Sequence, residues 1–276
     1  KKKKKSCQNI FIGREAGVSG TTANCNIVIG KSAMQELTTG AGNVAVGHSA
    51  LFENTSADFN VGLGRQALHK TTTGERNSAV GLNSLCANTT GGCNVALGAN
   101  ALLANTTGER NSALGETALE DNTTGCLNTA IGNEALKNNT TGCCNTAIGR
   151  SAGEENTTGG NNVFLGYDTC ADAAGTSNTI SIGFSVASIA NAMTFGNVGL
   201  DSRIAFGATS ITAPSDQRLK EDIQDDTAGL SFINDLRPVT YRWRKEKDIP
   251  EELRTHVVGS EKRYNNDKVN HGFIAQ

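Results

Sequence analysis

The sequence predicts a mainly β protein: a parallel β-solenoid, or β-roll, of about ten 17-residue coils, followed by an irregular β neck and an incomplete α+β domain. Three observations predict it. Asn stands at positions 9, 26, 43, 60, 77, 94, 111, 128, 145 and 162, an unbroken period of 17. A Gly stands four positions after each of these, from Gly13 to Gly166. Charge also changes abruptly: Ser215 to Gln276 carries 11 Lys/Arg and 12 Asp/Glu, whereas the far longer stretch from Ser6 to Pro214 carries only 24 charges together. The expected divisions are a basic tail over 1–8, the repeat over 9–177, the neck over 178–214 and the charged segment over 215–276.

Each position of the repeat has a physical reading. The residue before the Gly is always Ile, Val or Leu, from Ile12 to Leu165, and the one before that is usually Ala. Large and small side chains on opposite faces make a short strand of period two. The Gly that follows permits φ > 0 and turns the chain. Ala-Leu pairs such as Ala67-Leu68 and Ala135-Leu136 supply a second apolar anchor, and Asn-Thr-Thr-Gly closes the unit as a turn. A unit this short cannot hold a helix pair but suits one coil.

Stacked at the usual strand spacing, ten coils span roughly 50 Å. The period-17 Asn residues are expected to form an amide ladder between coils. The Ile/Leu/Val column is expected to be the dry core, with the Ala face packed against other copies of the chain in a symmetric oligomer. Phe11, Val28 and Phe164 replace the small residue near the two ends, as capping coils require. After Gly166 the register is expected to break, because the next Asn-led strand starts at Asn178, one position short of a full period after Asn162.

Several function classes are excluded. A net charge of −2 offers no basic footprint for nucleic acid or an anionic membrane. No apolar stretch reaches the ~18–20 residues of a membrane span. Lys1–Lys5 lack the apolar run of a secretory signal, and without an initiating Met they are expected to be a cloning scar or the edge of a longer chain rather than a functional tail. No Cys-x-x-Cys pair occurs, so neither a metal nor a cofactor is expected.

Six of the eight cysteines (Cys7, Cys25, Cys93, Cys126, Cys143 and Cys144) fall just before the ladder Asn, and Cys126 and Cys143 are one period apart. They are expected to be half-buried thiols, with stapling disulfides as the alternative. Asn54, Asn88, Asn105, Asn122, Asn139 and Asn156 begin glycosylation sequons, but turn chemistry alone accounts for their Asn-Thr-Thr or Asn-Thr-Ser sequences. The stacked Thr pairs resemble ice-binding ranks, yet adjacent Thr residues point in different directions. Asp is missing from the unit, which excludes a calcium-binding β-roll.

In the charged segment, Thr227 to Arg237 reads as a helix with Leu230, Ile233 and Leu236 on one face, ended by Pro238. Val239–Arg244 and His271–Gln276 read as strands. Three motifs occur here in order: Ser215-Asp-Gln-Arg-Leu-Lys220, Leu236-Arg-Pro-Val-Thr-Tyr-Arg-Trp243 and His271-Gly-Phe-Ile-Ala-Gln276. They resemble the start of the peptidase S74 family, the intramolecular chaperones at the carboxy termini of phage endosialidases, tail spikes and tail fibres. The preceding units are similar to Asn-Thr-Ala-Ile-Gly repeats of viral and bacterial surface proteins and, more loosely, to the β-roll heads of trimeric adhesins.

The resemblance implies a fibre that trimerises, is helped to fold by its last domain, and then releases that domain by self-cleavage. It implies Ser215 as nucleophile, Lys220 as base and Pro214–Ser215 as the bond cut, with Asp216, Arg218, His271 and Gln276 in support. A Ser hydroxyl needs such a base, and Lys serves once its pKa is lowered by burial or a cationic neighbour such as Arg218. In the family the domain continues past the Ala-Gln pair into helices that complete the trimer. The resemblance places the protein on a virion surface or an extracellular appendage. The alternative function is an adhesin whose rod binds a host-surface glycan or protein receptor. A carbohydrate-active enzyme would need paired carboxylates, which the repeats do not offer.

Overall fold

A three-residue strand followed by Gly is too short to stand alone, and repetition supplies its partners. The computed structural model describes residues 8–19, 22–198, 200–207, 238–241 and 270–273. The chain divides into two compact units, Lys1–Ser215 and Asp216–Gln276. The first is a parallel β-solenoid of about eleven turns, and no helix occurs among the described residues. Its strands are β1 (Ile10–Ile12), β2 (Ile27–Ile29), β3 (Val44–Val46), β4 (Val61–Leu63), β5 (Ser78–Val80), β6 (Val95–Leu97), β7 (Ser112–Leu114), β8 (Thr129–Ile131), β9 (Thr146–Ile148) and β10 (Val163–Leu165). Each pairs with the next in parallel, in a register of 17 throughout.

The Asn ladder holds this register. Each ladder Asn from 26 to 162, and Thr179 after them, donates its backbone N–H to the Oδ1 of the Asn one coil earlier, at 2.8–3.0 Å. The Nδ2 of each then donates to the carbonyl 14 residues on, at 2.8–2.9 Å. Buried amides are thereby satisfied in both directions. Gly at the strand end is obligatory for two reasons. Gly115 has φ +144°, and a Cβ there would collide with the backbone carbonyl of Gly132 in the next coil.

Two further ladders run beside it. The Nδ2 groups of Asn105, Asn122, Asn139 and Asn156 donate to the Oδ1 of the Asn one coil earlier at 2.8–2.9 Å. The first Thr of each turn donates its hydroxyl to a carbonyl of the next coil, as Thr106 does to Thr123 (3.1 Å) and Thr123 to Thr140 (3.0 Å). These hydroxyls are engaged within the coil stack.

The orientation of the strands corrects one expectation. Ala96 and Ala130 are fully buried, whereas Leu97 and Ile131 are each 39% exposed. The Ala column lines the interior and the Ile/Leu/Val column faces outward. The reason is volume. The interior is already filled by the anchor leucines (Leu51, Leu68, Leu85, Leu102, Leu119 and Leu136), all fully buried. A Cβ on Gly62 would sit 3.5 Å from Leu51, so only a small side chain fits at mid-strand. Where the anchor shrinks, the strand residue grows. The ring of Phe164 takes the space a side chain on Gly153 would need, and Phe11 does the same opposite Gly17.

The register also persists further than expected. Strand β12 (Thr179–Phe184), which follows the short β11 (Cys170–Ala171), pairs with β10 at Val163↔Ile180, still a full period apart. Thr179 takes the ladder position, while Asn178 (φ 59°) belongs to the left-handed turn column of Asn161 and Cys144. The break comes one coil later. After β13 (Ala187–Ser188), β14 (Ala192–Asn197) pairs with β12 at Ile180↔Met193, and β15 (Leu200–Ala205) closes the sheet antiparallel.

Two substitutions test this packing. Asn111→Ala leaves the Asn128 N–H and the Gly125 carbonyl without partners, and is expected to cost about 2–6 kcal/mol in chemical denaturation, at ~1–3 per stranded group. Ala113→Leu overfills the interior and is expected to cost at least about 1–3 kcal/mol, whereas Leu114→Ser at the next position preserves the β-sheet circular dichroism.

Candidate functional site

The alternation that buries Ala leaves a continuous outward column on the solenoid. Val80, Leu97, Ile131, Ile148 and Leu165 are exposed and Leu114 is half-buried, each stacked on its neighbour through strand pairing. Isolated surface apolar residues are ordinary, but a contiguous apolar stripe marks an interaction face.

A second exposed feature lies at the far coils. Tyr167 and Phe184 stack with ring centroids 5.2 Å apart, and the Arg150 guanidinium lies 5.7 Å from the Tyr167 centroid. Both rings are well exposed, at 42% and 50%. Beside them the Ser185 hydroxyl donates to Asp168 Oδ2 at 2.9 Å. Arg150, Tyr167 and Phe184 each follow a strand-end Gly (149, 166 and 183), so the period of 17 carried the signal. Reading the register as broken after Gly166 hides it, because Phe184 then no longer stacks on Tyr167.

The other titratable groups among the described residues form no reaction centre. His69 stacks on Phe52 (5.1 Å) and lies 4.0 Å from Glu53, and burial lowers its pKa despite that carboxylate. Among the described residues no group of three or more His, Cys, Asp or Glu is placed to hold a metal ion. The sequon residues Asn54, Asn88, Asn105, Asn122 and Asn139 are fully buried and Asn156 nearly so, their amides spent inside the stack. A glycan cannot be attached there without unfolding the coil. Cys25, Cys93 and Cys144 are exposed; Cys86, Cys126, Cys143 and Cys170 are half-buried; all seven are free thiols. Cys7 lies outside the described residues.

In the charged segment, β16 (Pro238–Tyr241) and β17 (Asn270–Phe273) pair antiparallel, with Val239 opposite Gly272 and Thr240 opposite His271. This pairing joins the second and third sequence motifs, which are well separated in the chain. Strand β16 begins one residue earlier than Val239 and β17 one earlier than His271. Pro214, Ser215, Asp216, Arg218, Lys220 and Gln276 lie outside the described residues, as does the helix expected over Thr227–Arg237.

Residues 215–276 match the family model Peptidase_S74, chaperone of endosialidase. No curated protein and no solved structure matches the chain. No helix among the described residues is long and apolar enough to cross a membrane.

Proposed function

We propose that this chain is part of a homotrimeric fibre or stalk, of the tail-fibre or surface-appendage type, whose segment from Ser215 onward is an intramolecular chaperone that cuts itself free. The observation that carries the reading is the match of residues 215–276 to the chaperone of endosialidase, directly after a β-solenoid. The outward Ile/Leu/Val column supports the trimer: it is the apolar surface a fibre would cover with its own copies. Each coil buries one large anchor of its own, so association is where the outward Ile, Leu and Val side chains are buried. The protein then sits on a virion surface or an extracellular appendage.

Cleavage follows from the motif chemistry. Lys220 accepts the Ser215 hydroxyl proton, and Oγ attacks the carbonyl carbon of Pro214. The Pro214–Ser215 C–N bond breaks as the Ser215 nitrogen takes up the proton, leaving Pro214 as an ester on Oγ. Water hydrolyses that ester to a Pro214 carboxylate and a free Ser215. Asp216, Arg218, His271 and Gln276 position these groups. The expressed chain is expected to yield two fragments, the second beginning at Ser215 by amino-terminal sequencing. Ser215→Ala and Lys220→Ala are each expected to leave the chain whole; cleavage at the same bond in both variants would refute the dyad.

The stacked Tyr167 and Phe184 rings favour a second reading, an adhesin whose rod binds a host-surface glycan or protein. An exposed aromatic stack, capped by the Arg150 guanidinium and flanked by the Asp168 carboxylate, suits a sugar ring. On a glycan array the repeat rod should then show binding that Tyr167→Ala removes. A blank array leaves the rod as a spacer.

A further inference from the structure

One pair of thiols is set apart from the rest by the coil register. In the column two residues before the ladder Asn, the side chain of one coil accepts the backbone N–H of the coil before it. Asp58 does so for Ala41 (2.7 Å) and Ser177 for Gly160 (2.9 Å). At the eighth and ninth coils the acceptor is sulfur: Cys126 N–H donates to Cys143 Sγ at 3.0 Å, and the two sulfurs are 2.9 Å apart. Parallel in-register neighbours sit ~4.8 Å apart, inside the ~4.4–6.8 Å Cα separation that a disulfide spans. No other described cysteine has a cysteine in the same column of the adjoining coil.

We propose that Cys126 and Cys143 are a dithiol site for small-molecule disulfides, which convert it into a covalent staple between two coils. The inference stands on the coil geometry and is independent of the fibre reading. The opening attack falls to Cys143, whose sulfur accepts the Cys126 N–H and is thereby held facing its partner sulfur. The hydrogen bond to Cys143, with some burial, pushes the Cys126 thiol up to about 11, so Cys126 keeps its proton at the outset. Gly160, next in the column, has no side chain to cover Cys143 from the following coil.

The exchange balances in two steps. The Cys143 thiolate attacks one sulfur of the incoming disulfide, forming a mixed disulfide and releasing one small thiolate. Cys126 then loses its proton to that thiolate or to water and attacks the Cys143 sulfur. The second small thiolate leaves as the protein disulfide forms. The protein thiols are oxidised and the small disulfide is reduced. Closing the short loop between the coils restricts the unfolded chain.

The test uses the full chain, first reduced, then equilibrated with graded mixtures of oxidised and reduced glutathione. Free thiols are alkylated, and trypsin cuts between the pair at Lys137. Mass spectrometry should find a peptide linked through Cys126 and Cys143 at ratios where Cys25, Cys86, Cys93, Cys144 and Cys170 are alkylated. The thermal midpoint should rise on oxidation and return with reductant. Cys143→Ser keeps an acceptor for the Cys126 N–H, as Ser177 shows for Gly160, and should show neither the link nor the rise. Alkylation of both sulfurs, glutathione retained on Cys143, a Cys143–Cys144 link, or cross-links between separate chains as the main product would each overturn the proposal. So would an equal rise in Cys143→Ser.

Discussion

The side-chain amide of each ladder Asn ties the backbone of one coil to the next, and the rest of the solenoid depends on that tie. Its oxygen takes an N–H from the following coil, and its nitrogen reaches a carbonyl 14 residues on. No insertion can be tolerated without stranding both groups. The strand-end Gly adds a steric limit, because a side chain there would strike the next coil's backbone. Together they fix the length of every turn and keep equivalent side chains in columns. The Thr ladder, the second Asn ladder, the aromatic stack and the Cys126–Cys143 pair all follow from that stacking.

The same constraint decides what faces inward. A coil this short has room for one large anchor, the Leu of each Ala-Leu pair, held in the left-handed region at φ near 50°. Such a backbone is unfavourable for Leu by about 1–2 kcal/mol, and burial of the side chain offsets it. With that volume taken, mid-strand must be Ala or Gly, and the bulky strand residues have nowhere to go but outward. The fold is thus completed inside by small residues and left apolar outside. A polypeptide with this pattern is suited to lying against copies of itself.

Much of this was legible in the residues. The period, the Asn ladder, the turn at Gly and the anchor at Ala-Leu are all position-specific. The direction of the strand was not, since alternation distinguishes two faces without saying which is interior; only the volume of the anchor leucines does. Asn54 and its equivalents read as turn residues because a ladder with its own Nδ2 pairing shows no local sequence signal beyond recurrence. Asn178 misled because it is an Asn in the wrong column: the ladder site is Thr179, whose N–H makes the same bond to Asn162. For the candidate site, the second and third motifs of the charged segment meet on β16 and β17. The Ser215–Lys220 chemistry was legible only through the first motif and the family match.

We propose that other copies of the chain cover the outward column. Sedimentation equilibrium of the Ser215→Ala chain, kept whole by loss of the nucleophile, tests it most directly. The expected mass is three times the 28.7 kDa of one chain, unchanged on dilution through the micromolar range. A single-chain mass under the same conditions, with the β-sheet intact, would contradict it.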